Sequence, residues 1–389
     1  MKKEQQLSLE RTQELGLYIH IPFCKRKCLY CDFPSYAGKE CLYHGYTEAL
    51  IAEIKEKASL AEGQEIKSVF FGGGTPTVLA KEDIGHIMEA IRQHYHLKES
   101  AELSIEANPG TIDLPMAEAL ISFGFNRLSM GLQAWQNHLL KLLGRIHTRE
   151  EFLANFQLAR QAGFSNINVD LMFALPTQTQ AEWEETVEAM IALGPEHISA
   201  YSLIIEEGTP FYDLFEGGQF QEMDEELDRR LYHWTGRRLA EAGYHQYEIS
   251  NYAKDGRESV HNKIYWETTP YLAFGLGAHS YIEGERFHNT YDLKRYIAQD
   301  GTTSVEEEER EDISKEEAMA EFMFMGLRMK SGVKGDLFHQ RFGREMQEVY
   351  GEQIEKLVAE GLLQTEGNRI FLTEWGIDLS NQVFLEFLY

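Results

Sequence analysis

The chain has 389 residues, 43% of them hydrophobic, which is enough to bury a large core, and we expect one large domain and a smaller one. Its 37 Lys and Arg residues against 63 Asp and Glu give a formal net charge of −26, which disfavours a nucleic-acid partner because the phosphate backbone is also negative. No segment has the apolar pattern of a signal peptide or membrane span, so we expect a cytoplasmic protein, in which four cysteines do not indicate a disulfide framework.

Strand-like runs alternate with amphipathic, helix-like stretches over the first half of the chain. The runs rich in Val, Ile, Phe and Leu are residues 16–21, 68–74, 102–108, 127–133, 167–173 and 197–203. The helix-like stretches between them are residues 45–60, 81–96, 114–123, 149–162 and 181–193. Such a series of β-then-α units predicts an α/β fold whose parallel sheet closes toward a barrel, an incomplete, TIM-like (β/α)6 version of the eight-stranded design. Barrels of this kind bind ligands at the carboxyl ends of their strands.

Three of the four cysteines follow the first predicted strand, in "YIHIPFCKRKCLYCDF". Cys24, Cys28 and Cys31 share this short stretch, and Cys41 lies apart from it. The flanking prolines favour an irregular loop over a buried helical face, and the Lys and Arg residues between the first two thiols favour thiolates. A structural zinc ion would normally need a fourth ligand. Three thiolates suit an iron–sulfur cluster that leaves one iron open to another ligand.

Polar or glycine-rich residues recur near the ends of the later strands. A Gly72-Gly73-Gly74-Thr75 run follows the second strand, Glu106 and Gln133 lie at the ends of the third and fourth, and Asp170 lies in the fifth. Consecutive glycines let the backbone approach a small ligand closely, and the run lacks the Lys-Ser or Lys-Thr of a P-loop. Carboxylates buried here need partners, which ribose hydroxyls, an ammonium group or a structural arginine would supply.

The cysteine spacing resembles that of the radical S-adenosylmethionine (SAM) superfamily. The segments "YIHIPFC", "FFGGGTPT", "IEANP", "RLSMGLQ", "RIHT", "NVDLMFALP" and "AYSL" are similar to the family of oxygen-independent coproporphyrinogen III oxidase and its relatives, the HemW-type heme chaperones. The resemblance implies a [4Fe-4S] cluster on Cys24, Cys28 and Cys31, whose open iron binds SAM. It implies SAM contacts at Tyr18, Tyr30, Gly73, Gly74, Thr75, Glu106, Gln133, Arg145 and Asp170. By this resemblance the glycines and Thr75 address the methionyl amino group, Arg145 the carboxylate, and Gln133 and Asp170 the ribose.

Three features resemble the chaperone branch of that family more than the oxidase branch. Phe33 stands where the oxidase has a further cysteine, 17 residues precede Tyr18 where the oxidase has a long extension, and "HNKIYW" begins at His261. This branch implies a protein that binds heme and delivers it to target proteins, respiratory enzymes among them, with membrane contact only through those partners. The enzyme alternative is oxygen-independent oxidation of coproporphyrinogen III. We expect His261 to be the axial heme ligand on a surface near the barrel mouth, with His279 as the second candidate.

The last part of the chain predicts a separate helical unit. We place the barrel core at residues 1–215, a flanking region with the heme motif at 216–303, an acidic linker at 304–317 and a C-terminal domain at 318–389. Three helix-like segments followed by a hairpin-like one predict a winged-helix-like topology. The abundance of glutamate on its longest helix favours packing or a lid over DNA binding. The sequence leaves the oligomeric state open.

Overall fold

The computed structural model of the protein describes residues 14–298 and 310–388. Six parallel strands form the centre of its main sheet, numbered in chain order among all strands. They are β1 (Glu14–Ile21), β4 (Glu65–Gly73), β5 (His96–Ala107), β6 (Arg127–Gln133), β7 (Ile167–Phe173) and β8 (His197–Ser202). These six strands correspond to the six predicted runs, and they lie side by side in chain order. The predicted α/β architecture with a parallel sheet is therefore confirmed.

Short strands extend this sheet at both edges. On the β1 side lie β11 (Tyr271–Phe274), β12 (His279–Ile282), β13 (Glu285–His288) and β14 (Glu311–Asp312), and on the β8 side lie β10 (Asn251–Ala253) and β9 (His245–Gln246). The strand β11 is parallel to β1, whereas β10 is antiparallel to β8. Within the described residues the sheet has 12 strands, and its two edge strands, β14 and β9, are not paired with each other.

The sheet is open, which agrees with the incomplete barrel that the sequence predicts. The two outer strands of the parallel set do not meet, since β11 covers the free edge of β1 and β10 covers that of β8. Short antiparallel strands after the sixth unit were not recognised in the sequence. Strands of two to four residues carry too little alternation to be distinguished from a loop.

Fifteen α-helices lie within the described residues, and the last five belong to the C-terminal region. They are α1 (Tyr43–Glu56), α2 (Lys81–His94), α3 (Leu114–Ser122), α4 (Asn137–Leu142), α5 (Arg149–Ala162), α6 (Gln180–Leu193), α7 (Pro210–Glu216), α8 (Glu225–Glu241), α9 (Val260–Trp266), α10 (Leu293–Ala298), α11 (Lys315–Gly326), α12 (Gly335–Phe342), α13 (Met346–Ala359), α14 (Glu374–Asp378) and α15 (Ser380–Leu385). Local sequence explains several of the boundaries. Thr148 and Glu151 form a reciprocal capping box at the start of α5, and Gly163 ends that helix with φ of 112°.

The C-terminal region combines helices with a small sheet. Strands β15 (Val333–Lys334), β17 (Arg369–Leu372) and β16 (Leu363–Glu366) pair in that order beside α11, α12 and α13. Three helices followed by a hairpin correspond to the predicted elements. The predicted acidic linker at 304–317 begins outside the described residues, which resume at 310, and its last residues already belong to β14 and α11. The proposed domain boundaries stay predictions.

None of the helices within the described ranges has both the length and the apolar composition that crossing a membrane requires.

Candidate functional site

The three clustered cysteines lie on one loop beyond the carboxyl end of β1. Cys24 ends the short strand β2 (Phe23–Cys24), and the chain returns through Cys28 and Cys31 to β3 (Tyr36–Ala37), which pairs with β2. Cys24 is buried and the other two are half-buried, whereas Cys41 is exposed in a 3-10 helix, Glu40–Leu42. The structure therefore keeps the three together and sets Cys41 apart.

The thiols face hydrogen-bond donors from two other parts of the site. The Thr75 hydroxyl donates to Cys24 Sγ at 3.6 Å, and Arg145 Nη1 donates to Cys28 Sγ at 3.5 Å. Burial raises the pKa of the Cys24 and Cys31 thiols, so thiolates here need a positive partner such as iron. No group of three or more His, Cys, Asp or Glu side chains in the described ranges forms a preassembled single-ion site. An iron–sulfur cluster needs a wider arrangement, because each thiolate binds its own iron.

The glycine run after β4 passes directly beside this loop. Gly74 N–H donates to the carbonyl oxygen of Ile21 at 2.8 Å, and Thr75 N–H donates to that of Phe23 at 2.7 Å. A Cβ atom at Gly74 would lie 2.6 Å from the carbonyl oxygen of Phe23. Gly73 has φ of 104°, in the left-handed region, and its N–H donates to the Glu106 carboxylate at 3.2 Å. Glycine is therefore required here both for the close approach and for the turn.

Arg145 connects the cysteine loop with the ends of β5 and β6. It follows α4 and Gly144, and its Nη2 donates to the carbonyl oxygen of Gly131 at 2.6 Å and to the side chain of Asn108. Asn108 in turn donates to the Thr75 hydroxyl at 2.7 Å. The guanidinium Nε has no partner among the described atoms although it is buried. An anionic group that entered here would satisfy it, as the predicted SAM carboxylate requires.

Two carboxylates lie on the inner face of the sheet, Glu106 on β5 and Asp170 on β7. Glu106 is held in an apolar environment, and burial, followed by the nearby Asp170 charge, raises its pKa to about 8. Asp170 accepts hydrogen bonds from Ser129 at 3.1 Å and from Asn168 at 2.7 Å. These partners are neutral, so the structural-arginine alternative for Asp170 finds no support in the described hydrogen bonds. The two carboxylates can pair with an ammonium group or accept hydrogen bonds from hydroxyl groups.

Gln133 has the most constrained backbone among the predicted contacts. It ends β6 next to a bulge, where the register with β7 shifts between Gly131 and Gln133. Its φ of 73° is rare for a non-glycine residue, and its side-chain Oε1 is buried without a partner in the described residues. A strained backbone and a buried hydrogen-bond acceptor without a partner are typical of ligand-binding residues.

The two predicted tyrosines lie on different segments, Tyr18 on β1 and Tyr30 on the cysteine loop. The Tyr18 hydroxyl donates to His20 Nδ1 at 3.0 Å, because His20 Nε2–H donates to the carbonyl oxygen of Pro34 at 3.1 Å and fixes the tautomer. Burial lowers the pKa of His20 to about 4, so its ring is neutral. Tyr30 belongs to the cysteine loop and packs with an apolar cluster that includes Leu143. Burial raises the pKa of both phenols.

The sequence analysis missed three polar residues of this site. His20 lies two residues after Tyr18 and therefore on the same face of β1, and Asn108 directly follows β5. His147 is buried, and both of its ring nitrogens lack a partner among the described residues. Burial, followed by the Arg145 charge, lowers the pKa of His147 to about 3. The alternation of side chains along β1 could have identified His20. His147 lies in the loop between α4 and α5, where no repeating pattern in the sequence indicates which side chains face the site.

The chemistry of this donor set fits an iron–sulfur cluster and SAM. Three thiols, a glycine cradle, an arginine with an unsatisfied Nε and two carboxylates converge at the carboxyl ends of successive strands. The cavity among Cys28, Thr75, Asn108 and Arg145 has a free volume of about 20 Å³, close to that of one water molecule.

His261 does not lie on the surface that we expected. It is 1% exposed on α9, which packs against the inner face of the sheet, and burial lowers its pKa to about 3. Its Nδ1 shares a hydrogen bond with Ser68 at 2.8 Å and its Nε2 shares one with Tyr265 at 3.0 Å. The ring stacks on Phe70, with centroids 5.1 Å apart. Heme iron could reach His261 only if α9 moved and one of these hydrogen bonds broke.

His279, the second candidate, has a different environment. It is exposed at the start of β12, and its Nε2 shares a hydrogen bond with the Tyr291 hydroxyl at 2.8 Å. Its ring lies 4.8 Å from that of His288. Phe33, where the oxidase branch has a cysteine, is 59% exposed on the cysteine loop.

The chain is similar to known proteins over most of its length. The sequence model of the Radical SAM superfamily matches residues 18–190, and that of the HemN C-terminal domain matches residues 313–379. The heme chaperone HemW of Bacillus subtilis (strain 168) is 37% identical over 374 residues, which cover 95% of this chain and 98% of the relative. The chain belongs to the HemW family. A second HemW, from Lactococcus lactis subsp. lactis (strain IL1403), is 36% identical over 371 residues, with 95% and 96% covered.

This chain shares its fold with a solved oxidase structure. Coproporphyrinogen III oxidase (HemN) from Escherichia coli, a radical SAM enzyme, superposes with a TM-score of 0.83 at 24% identity, over 97% of this chain and 91% of that chain. This likeness confirms the radical SAM fold and its C-terminal helical unit. Membership of the superfamily implies a [4Fe-4S] cluster and SAM.

Proposed function

We propose that the protein is a heme chaperone that binds heme and delivers it to target hemoproteins, and that it carries a [4Fe-4S] cluster and SAM. The observation that carries the proposal is the similarity to proteins named heme chaperone HemW over 95% of the chain. The convergence of the thiols and the Arg145 network at one end of the sheet supports the cofactor part. A cytoplasmic location, respiratory enzymes as recipients and membrane contact through such partners remain predictions.

In this proposal Cys24, Cys28 and Cys31 hold the cluster, whose open iron supplies the coordination site for SAM. Arg145 orients the SAM carboxylate, and Gly73, Gly74 and Thr75 line the path of its ammonium group. Glu106, Gln133 and Asp170 accept hydrogen bonds from polar groups of SAM, and the half-buried Tyr18 and Tyr30 line the site. These roles follow from where the residues converge and from the superfamily resemblance.

The alternative function is the enzymatic oxidation of coproporphyrinogen III. Phe33 distinguishes the chaperone from the oxidase. The exposed phenyl ring stands where the oxidase has a cysteine, so the thiol of that position is absent from this chain. We expect the purified, cluster-loaded protein to bind heme with a defined Soret band. We expect it not to convert coproporphyrinogen III to protoporphyrinogen IX when SAM and a reductant are supplied.

Heme titration of the purified apoprotein beside that assay tests both functions. Stoichiometric heme binding without turnover is the outcome that the chaperone function requires. Product formation over many turnovers would reassign the protein to the oxidase branch, and failure to bind heme would overturn the chaperone function.

A further inference from the structure

A chain of buried hydrogen bonds connects the predicted SAM contacts with the helix that carries the "HNKIYW" motif. It starts at Asp170 on β7, which accepts a hydrogen bond from Asn168 Nδ2 at 2.7 Å. The Oδ1 atom of Asn168 lies 2.6 Å from Nδ1 of His197 on β8, and His197 Nε2 lies 2.9 Å from the Tyr247 hydroxyl. The chain ends at Ser259, whose N–H donates to the same hydroxyl oxygen at 3.4 Å. Ser259 is the N-cap of α9, so a predicted SAM contact is linked to this helix.

Each donor in the chain points toward Asp170. Asn168 donates through its amide nitrogen, so its oxygen is an acceptor and His197 Nδ1 carries the proton. Burial lowers the pKa of His197 well below its usual value and keeps the ring neutral, so Nε2 accepts from the Tyr247 hydroxyl. The Tyr247 oxygen in turn accepts from Ser259 N–H. Hydrogen bonds aligned in one direction polarise one another, so a change at one end alters the strength of the others.

The Asp170 end of the chain is the accessible one. Asp170 is half-buried, whereas Asn168, His197 and Ser259 are at most 2% exposed. Besides the bond from Asn168, the carboxylate accepts one from the Ser129 hydroxyl at 3.1 Å, which leaves lone pairs for further donors. The hydroxyl groups of a SAM ribose bound here would share the negative charge that now attracts the Asn168 amide.

The Ser259 end of the chain fixes the N-terminus of α9. The Tyr247 oxygen accepts from the N–H of Ser259, and the Glu102 carboxylate accepts from the N–H of His261 at 3.2 Å. His261 is 1% exposed, so a heme iron can reach its ring only after α9 moves. The hydrogen bond between Tyr247 and Ser259 therefore opposes heme binding at the motif.

We propose that SAM binding at Asp170 raises the affinity for heme at the α9 motif through this chain. The inference rests on the proposed function, in which the protein carries both ligands, and it states how one regulates the other. Ribose hydroxyls on Asp170 weaken the bond from Asn168, the polarisation of the chain falls, and the bond between Tyr247 and Ser259 loosens. Helix α9 then moves at a lower cost in free energy. By linkage, heme raises the affinity for SAM by the same factor.

Hemin titration of the cluster-loaded protein, followed at the Soret band with and without saturating SAM, measures the coupling. No reductant is added, so that SAM stays intact. SAM should raise the hemin affinity of the parent about fivefold, the factor that corresponds to the loss of about one hydrogen bond on α9. Calorimetric titration with SAM should show the same factor when hemin is saturating. An unchanged or lowered hemin affinity in the presence of SAM would overturn the proposal.

Tyr247→Phe isolates the chain, and Tyr244→Phe is its matched control. Tyr247→Phe removes the hydroxyl that joins His197 to Ser259. It should bind hemin without SAM as tightly as the parent does with SAM, and SAM should add nothing further, whereas damage to the fold would lower the affinity. Tyr244→Phe removes a buried hydroxyl of the same kind, which donates to the carbonyl oxygen of Pro195 at 2.6 Å and takes no part in the chain. This control should keep the response of the parent to SAM.

The outcomes separate the coupling from the proposed function. A parent-like response to SAM in Tyr247→Phe would show that the two ligands affect each other without this chain, which overturns the inference and leaves the chaperone function standing. Loss of the response in Tyr244→Phe as well would make it a general effect of lost stability, which also overturns the chain. A parent protein that does not bind hemin defeats both proposals.

Discussion

His261 on α9 and Ser68 on β4 share a hydrogen bond of 2.8 Å in the interior of the protein, so the first residue of "HNKIYW" fastens a helix to the sheet. The N-terminus of α9 is held as well, because the Glu102 carboxylate accepts hydrogen bonds from Val260 N–H at 3.0 Å and His261 N–H at 3.2 Å. In the described structure this part of the motif stabilises the packing of α9.

The first prediction is that His261 makes stability depend on pH. Its pKa is about 3 when folded and about 6.5 when unfolded, so below pH 6.5 the unfolded chain binds a proton that the folded protein does not. The stabilising contribution is therefore complete above pH 6.5 and is lost as the pH falls toward 3, at up to about 1.4 kcal/mol per pH unit. Urea unfolding of the parent protein and of His261→Gln between pH 7 and 5 should show a shallower loss in the variant.

His20 and His147 also have lowered pKa values and titrate in both proteins, so the difference between the two slopes isolates His261. Parallel slopes would contradict the prediction. His261→Ala should in addition lower the free energy of unfolding at pH 7 by about 2–4 kcal/mol, because it leaves Ser68 and Tyr265 without their shared partner and opens a cavity.

The second prediction concerns cluster ligation. Single Cys→Ser changes at Cys24, Cys28 and Cys31 should each abolish most of the visible iron–sulfur absorption after anaerobic reconstitution. Cys41→Ser is the matched control and should keep it, because Cys41 is exposed in a separate 3-10 helix. A comparable loss in the control would refute the three-ligand assignment.

The third prediction concerns Asp170 and SAM. Asp170→Ala should weaken SAM binding by about 1–3 kcal/mol, measured by calorimetry at normal cluster content, because a charged hydrogen-bond acceptor is lost. Asp170→Asn keeps the shape and the bond to Ser129 while removing the charge. Unchanged SAM affinity in both variants would give Asp170 a structural role.

The fourth prediction uses the raised pKa of Glu106. With a pKa of about 8, the carboxyl group is mostly protonated at neutral pH before ligand binds, whereas an ammonium group favours its ionised form. SAM affinity should therefore rise as the pH increases through about 8, with release of a proton on binding. Calorimetry in buffers of different ionisation enthalpy measures that proton. Glu106→Gln should abolish the release, and a parent protein that releases none would contradict the role.

The parallel strands and the clustered cysteines could be predicted from sequence because both are local patterns. The apolar runs identified all six central strands. Gly73 and Gln133 are the last residues of β4 and β6, so the strand assignment alone places them at the carboxyl edge of the sheet. Long-range packing could not be predicted. Nothing near His261 in the sequence shows that Ser68, 193 residues earlier, shares a hydrogen bond with one of its ring nitrogens.

Helix α9 also decides from which side the site can be reached. His261 and Ile264 are buried against the inner face of the sheet, and a Cβ atom on Gly16 of β1 would collide with Ile264. Helix α9 thus fills the interior beside the first halves of β1 and β4, and the predicted SAM contacts lie toward the cysteine loop at the other end of these strands. In the proposed function SAM enters and leaves past this loop, so a partner protein seated over the loop would control the exchange of SAM.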